Sequence, residues 1–181
     1  MPQLKALQQN ATLLDVFRAY PGTARPLIEY HEILLRGDSP LNVAERELIA
    51  AYVSGLNACS YCHGVHAVTA QAWGIEDSIL RELLEDIDAA SVSPKLKPIL
   101  HYVRKLTVKP NSVTTADAEA VFTAGWDDKA FYDAISICAL FNFMNRLVEG
   151  LGIEAGPEYF QLSGERLHKG GYAGLLRLLD Q

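Results

Sequence analysis

Apolar residues recur at three- and four-residue intervals along nearly all of this chain, and that pattern excludes most architectures. Ile79, Leu80, Leu83, Leu84 and Ile87 are one instance. Such spacing lays side chains on one face of a 3.6-residue helix, whereas the two-residue alternation of a half-buried strand is scarce. The sequence therefore predicts an all-α fold. Turn signals fall at helix-length intervals: Tyr20-Pro21-Gly22, Gly37-Asp38-Ser39-Pro40, Ser91-Val92-Ser93-Pro94, Lys109-Pro110-Asn111 and Gly156-Pro157. None is long enough to serve as a linker, so residues 1–181 read as a single compact helical domain. With 49% of its residues apolar, the chain can bury an adequate core without disulfide staples.

Helix boundaries can be placed from capping chemistry. Ser39-Pro40 and Ser93-Pro94 both read as helix starts, with Ser as N-cap and Pro at the first helical position. The first start implies a helix to about Ser54, with Gly55-Leu56-Asn57 as its exit and Asn57 as N-cap of the next helix. Gly74-Ile75-Glu76-Asp77 is echoed by Gly125-Trp126-Asp127-Asp128, each leading into an amphipathic run, which is consistent with a duplicated helical unit.

Formal charge is 16 − 22 = −6, and the Lys and Arg residues are scattered. Neither a nucleic-acid footprint nor a polybasic membrane patch is expected. The first ten residues lack the apolar region of a signal peptide, and no later segment reads as membrane-spanning, so the expected compartment is the cytoplasm. Three cysteines in that reducing compartment do not make a structural framework, and an isolated CxxC there points to catalysis or metal binding. Cys138, inside the apolar run from Ala134 to Phe141, reads as a small buried hydrophobe.

The chemistry concentrates in Cys59-Ser60-Tyr61-Cys62-His63-Gly64-Val65-His66. Cysteines three apart share a helix face, close enough for a disulfide, and they tune each other's acidity. In the first turn of a helix, Cys59 would feel the positive dipole end, which nominates it as the more acidic thiol. His66 follows Cys62 by four residues and is placed to activate it. His63 falls on another face and reads as structural. Glu47 occupies the stripe Val43, Glu47, Ala50, Ala51, Ser54 rather than a charged face. A carboxylate there can orient a histidine and accept its charge, the bland alternative being a surface salt bridge with a Lys or Arg of another segment. Tyr61 lies between the cysteines, either donating a hydrogen bond to a peroxide oxygen or thiolate, or capping the pocket.

Glu47 followed by Cys59-x-x-Cys62 and His66 resembles the alkylhydroperoxidase D and carboxymuconolactone decarboxylase superfamily. The later Phe141-Asn142-Phe143-Met144-Asn145-Arg146, with Gly150-Leu151-Gly152, is similar to its peroxidase-related branch. The resemblance covers roughly residues 20 to 155 and implies an all-helical fold and a homo-oligomer, commonly a trimer or hexamer. It implies that Cys62 is the peroxidatic thiol, deprotonated through His66 and a water under the influence of Glu47, and that Cys59 resolves the sulfenic acid. The implied substrate is an alkyl hydroperoxide or hydrogen peroxide, which Tyr61 by its position between the cysteines could contact, and no cofactor is expected. The implied reductant is a thiol or dithiol, in the family sometimes a lipoylated protein. Alkylhydroperoxidase D itself often carries a His between the cysteines, where this chain has Tyr61.

Three other classes fit parts of the pattern. Cys59-Ser60-Tyr61-Cys62-His63 satisfies the CxxCH haem-attachment signature, with Met1 and Met144 the only methionines available as an axial ligand. Zinc could draw on Cys59, Cys62, His66 and Glu47, although no second ligand pair is evident and no metal is expected. A dithiol-disulfide oxidoreductase or redox sensor would use the same CxxC without peroxide chemistry.

Overall fold

The computed structural model describes residues 2–179 and is built from ten α-helices and one short 3-10 turn, with no strand among the described residues. In chain order these are α1 (Leu13–Ala19), α2 (Pro21–Arg36), α3 (Val43–Leu56), α4 (Ser60–Ala72), α5 (Ile79–Glu85), α6 (Lys97–Val108), α7 (Thr115–Thr123), α8 (Asp128–Leu151), α9 (Pro157–Gly170) and α10 (Ala173–Leu179). The 3-10 turn, Pro110–Ser112, lies between α6 and α7.

Helix α3 is the axis of the assembly. Arg46 through Ser54 are buried without interruption, because α4, α8, α6 and α5 pack around it on different sides. That explains its near-continuous apolar run, the signature of a helix enclosed all round. Helix α4 is held between α3 and α9, and α8 backs the turn that joins α3 to α4. Close approach of α9 to α4 depends on Gly64 and Gly164: a Cβ on Gly64 would come within 2.5 Å of the Phe160 ring edge, and one on Gly164 would meet Val68.

Two predicted helix starts move. Helix α3 begins at Val43, not at Ser39-Pro40, because Asn42 and Glu45 form a reciprocal capping box: the Glu45 N–H donates to Asn42 Oδ1 (2.9 Å) and the Asn42 N–H to Glu45 Oε2 (2.8 Å). Ser39 instead accepts from the Leu41 N–H within the preceding turn. Helix α6 likewise begins at Lys97 rather than at Ser93-Pro94. Asn57 closes α3 as its C-cap rather than opening α4, whose N-cap is Cys59 itself.

The echo between Gly74 and Gly125 is an echo of helix termination. Both glycines have positive φ (96° and 88°), and the N–H of the next residue reaches back over the turn, Ile75 to the Ala70 carbonyl and Trp126 to that of Val121. The helices downstream of the two glycines differ, a seven-residue α5 in one case and the 24-residue α8 in the other. Helix α8 also corrects the expectation that no segment reads as membrane-spanning. By length and by a mean hydropathy of 1.2 in its most apolar window it could cross a membrane, yet half of that window is buried against other helices. Asp133 and Asn145 are among its buried residues, the composition of a polar-bearing core helix.

Candidate functional site

The α3–α4 turn fixes the cysteines. Ala58 adopts a left-handed conformation (φ 54°) that non-glycine residues rarely take, and this brings the Cys59 N–H back onto the Ser54 carbonyl (3.0 Å). An amide network from α8 holds the turn. Asn57 Nδ2 donates to Asn145 Oδ1 (2.9 Å) and Asn142 Oδ1 (3.1 Å), and Asn145 Nδ2 donates to Ser54 Oγ (3.0 Å). Asn142 also donates to the Cys138 carbonyl and toward its sulfur. Cys138 is fully buried, and that burial pushes its thiol pKa up.

All three cysteines are free thiols, and Cys59 and Cys62 form a hydrogen-bonded pair. The Cys62 thiol donates to the Cys59 sulfur and, with the Cys62 backbone N–H, outweighs burial and lowers the Cys59 pKa. The same hydrogen bond, together with burial, pushes the Cys62 pKa well up. Cys59 is thus the acidic partner at rest. Access runs the other way: Cys59 is 0% exposed, whereas Cys62 is 4% exposed and borders a cavity.

Beside the pair lies a buried relay. Glu47 is 0% exposed, and both its carboxylate oxygens are occupied. Oε2 accepts from His66 Nδ1 (2.7 Å), while Oε1 accepts from Arg36 Nη1 (2.6 Å) and more weakly from the Tyr172 hydroxyl (3.3 Å). A carboxylate at this distance only accepts, so His66 carries its proton on Nδ1 and turns Nε2 free for chemistry at the cavity. Burial alone would raise the Glu47 pKa, but His66 and then Arg36 outweigh it and hold the carboxylate below its usual range. Tyr172 is fixed by α2: Glu32 Oε2 accepts from the N–H groups of Tyr172 (2.7 Å) and Ala173 (2.9 Å). The Arg36 guanidinium also lies over the Tyr172 ring, 5.1 Å from its centroid.

The cavity has a volume of about 80 Å³, room for several water molecules or a compact organic group. Cys62, His66 and Tyr61 line it together with His31, Phe141 and Met144, and helices α1, α9 and α10 close it with mainly apolar side chains. His31 donates from Nδ1 to the Leu27 carbonyl (2.7 Å), and burial lowers its pKa to about 4. The Tyr61 hydroxyl donates to Tyr159 (2.7 Å), so its proton points along the wall.

Of the sequence-nominated residues, Glu47, Cys62, His66 and Tyr61 converge here, with Cys59 directly behind Cys62. Glu47 bonds His66, and the surface salt bridge is corrected: its arginine partner comes from another segment, but the pair is buried, because α3 is enclosed by other helices. His63 turns away and bonds the Ala51 carbonyl through Nδ1 (2.9 Å). Sequence reasoning missed Arg36, His31 and Tyr172. His31 had a signal, since it continues the buried α2 face of Ala24, Ile28 and Leu35, where polar residues need partners; Arg36, off that face, and Tyr172 had none.

Neither metal alternative suits this geometry. Glu47 is committed to Arg36 and His66, and among the described residues no group of three or more His, Cys, Asp or Glu side chains is placed to hold a metal ion. Thioether attachment of haem would need the Cys59 sulfur, which has no exposed surface; Met1 lies outside the described residues.

The carboxymuconolactone decarboxylase family model matches residues 21–105, the span that carries Arg36, Glu47, both cysteines of the pair and His66. No curated protein matches significantly. Among solved structures, the fold is similar to that of an uncharacterized peroxidase-related protein from Silicibacter sp. TM1040, with TM-score 0.75 and 23% identity over 82% of this chain and 78% of that one. It is similar also to the alkylhydroperoxidase AhpD core of an uncharacterized peroxidase-related protein from Ralstonia eutropha JMP134, with TM-score 0.74 and 26% identity over the same shares of each chain. The shared helical fold, and a family segment coinciding with the helices that build the thiol site, make this chain similar to the carboxymuconolactone decarboxylase family and to the peroxidase-related proteins of the alkylhydroperoxidase D fold.

Proposed function

We propose that this protein is a thiol-dependent peroxidase that reduces alkyl hydroperoxides or hydrogen peroxide through a Cys59–Cys62 dithiol/disulfide cycle. The observation that carries this reading is the placement of Cys62 alone of the pair at an apolar cavity, with the carboxylate-oriented His66 on the same wall. His66 Nε2 takes the Cys62 proton through a water. The thiolate attacks the terminal peroxide oxygen, the O–O bond breaks, and the departing alkoxide takes up a proton to leave as alcohol. The Cys59 sulfur then attacks the Cys62 sulfenic acid, whose hydroxyl leaves as water with the Cys59 thiol proton, and the disulfide forms. A thiol or dithiol reductant, such as a lipoylated protein, returns both electrons. The acidic Cys59 suits this step, because a low-pKa thiolate is a good leaving group when the disulfide is opened. A cytoplasmic homo-oligomer, trimer or hexamer, completes the proposal.

The same acidity favours a second reading, a dithiol-disulfide oxidoreductase that exchanges with partner thiols without peroxide. Free thiols counted before and after one equivalent of organic hydroperoxide separate the two. The peroxidase reading expects loss of two thiols in the parent, none driven by peroxide in Cys62→Ser, and a trappable sulfenic acid in Cys59→Ser. Retention of all three thiols in the parent refutes it.

A further inference from the structure

One cavity wall carries polar groups that the thiol chemistry does not use. Ser163, on α9, is only 7% exposed, yet its Oγ is buried with no hydrogen-bond partner. Both Ser163 and Arg166 line the cavity, three residues apart on one face of the helix. No carboxylate pairs with Arg166 among the described residues, in a chain whose net charge is −6. An orphaned buried hydroxyl is costly, and an arginine one turn further along the same helix face, with no carboxylate partner among the described residues, carries forked donors that fit a planar carboxylate. Cys62, on α4, borders the cavity as well.

Resting on the peroxidase reading, we propose that Ser163 and Arg166 form a carboxylate-binding subsite, and that the preferred substrate is an organic hydroperoxide with a compact apolar body and a carboxylate. The peroxide group meets Cys62 while Arg166 and Ser163 hold the carboxylate. The cavity of about 80 Å³ admits only part of the body, favouring a compact group that enters it with its peroxide end over a long chain folded inside. The subsite acts in the ground state and therefore shows in KM. If the same donors served the departing alkoxide instead, kcat would respond, and for every hydroperoxide alike.

The test compares cumene hydroperoxide with its para-carboxylate, using reduced protein and a saturating dithiol. The parent is expected to favour the carboxylate about tenfold in kcat/KM, through KM. Arg166→Ala abolishes that preference, Arg166→Lys retains part of it, and Ser163→Ala lowers it a few-fold. Arg81→Ala, which removes the same charge from α5, leaves the ratio unchanged. The proposal is overturned by a parent with no preference, by a preference that survives Arg166→Ala, or by equal kcat losses on both substrates. If neither hydroperoxide is turned over, the peroxidase reading fails, and the subsite is judged by calorimetric binding of para-isopropylbenzoate. Binding weakened about tenfold in Arg166→Ala supports the subsite, and no binding to the parent overturns it.

Discussion

His31 makes folding stability depend on pH in a way that can be worked out from its surroundings. The ring is 5% exposed, edge-on to Phe141 (6.0 Å between centroids) and 5.2 Å from Tyr172. Burial lowers its pKa from 6.5 to about 4; the bond to the Leu27 carbonyl opposes this, the His66 charge adds to it, and the Glu47 charge offsets it slightly. Because the folded value lies below the unfolded one, the unfolded chain binds a proton between the two that the folded chain refuses. The contribution is fully present above pH 6.5 and is lost as pH falls toward 4. A gap of 6.5 − 4 = 2.5 pH units is worth about 3 kcal/mol, of which roughly 2 kcal/mol is already lost at about pH 5. Against a total of about 5–15 kcal/mol for a domain this is measurable. Urea unfolding of the parent and of His31→Gln at about pH 7.5 and about pH 5 should show the parent losing roughly 2 kcal/mol more than the variant over that interval, whatever their absolute stabilities. Equal losses, or a His31 ring that titrates by NMR near 6.5, would refute the reasoning. The functional corollary is that His31 faces the cavity as a neutral ring, its Nδ1 committed to Leu27 and its Nε2 an acceptor.

Glu47→Gln leaves the Arg36 guanidinium, only 11% exposed, without its carboxylate, and urea unfolding should show a loss of about 3–5 kcal/mol. Hydroperoxide turnover should fall by roughly a hundredfold as the His66 tautomer is released; a stability change below about 1 kcal/mol would contradict the buried-pair description. Tyr172→Phe removes one donor to Glu47 and should cost about 1 kcal/mol while shifting the pH profile of turnover, and an unchanged profile would separate Tyr172 from the relay. Gly64→Ala forces α4 away from Phe160 of α9 and should lower stability by about 1–3 kcal/mol by thermal unfolding, so a Tm equal to the parent's would contradict the close α4–α9 approach.

What could be read from the sequence was what short spacing encodes. Cys62 and His66 lie on α4 with Cys59 as its N-cap, and Glu47 declared itself as a carboxylate on a stripe of small residues, so the groups that meet at the site were visible before any contact was known. The α3 start was misjudged although its cause is written in the chain, because Asn42-x-x-Glu45 is a capping box and a Ser-Pro pair three residues earlier competes with it only on paper. Tyr172 had no such trace: it reaches Glu47 from 125 residues away, and only the docking of α10 on Glu32 puts it there. The cysteines show the same division within one motif. The dipole reading nominated Cys59 as the acidic thiol, and the structure agrees in direction through a more specific cause, the Cys62 thiol and N–H donating to it. Acidity is set by neighbours three residues apart, so sequence can reach it. Access depends on how α1, α9 and α10 close over α4, and it exposes Cys62 to the cavity while sealing Cys59 behind it. The more acidic sulfur is therefore not the one that borders the cavity: acidity favours Cys59, and access favours Cys62.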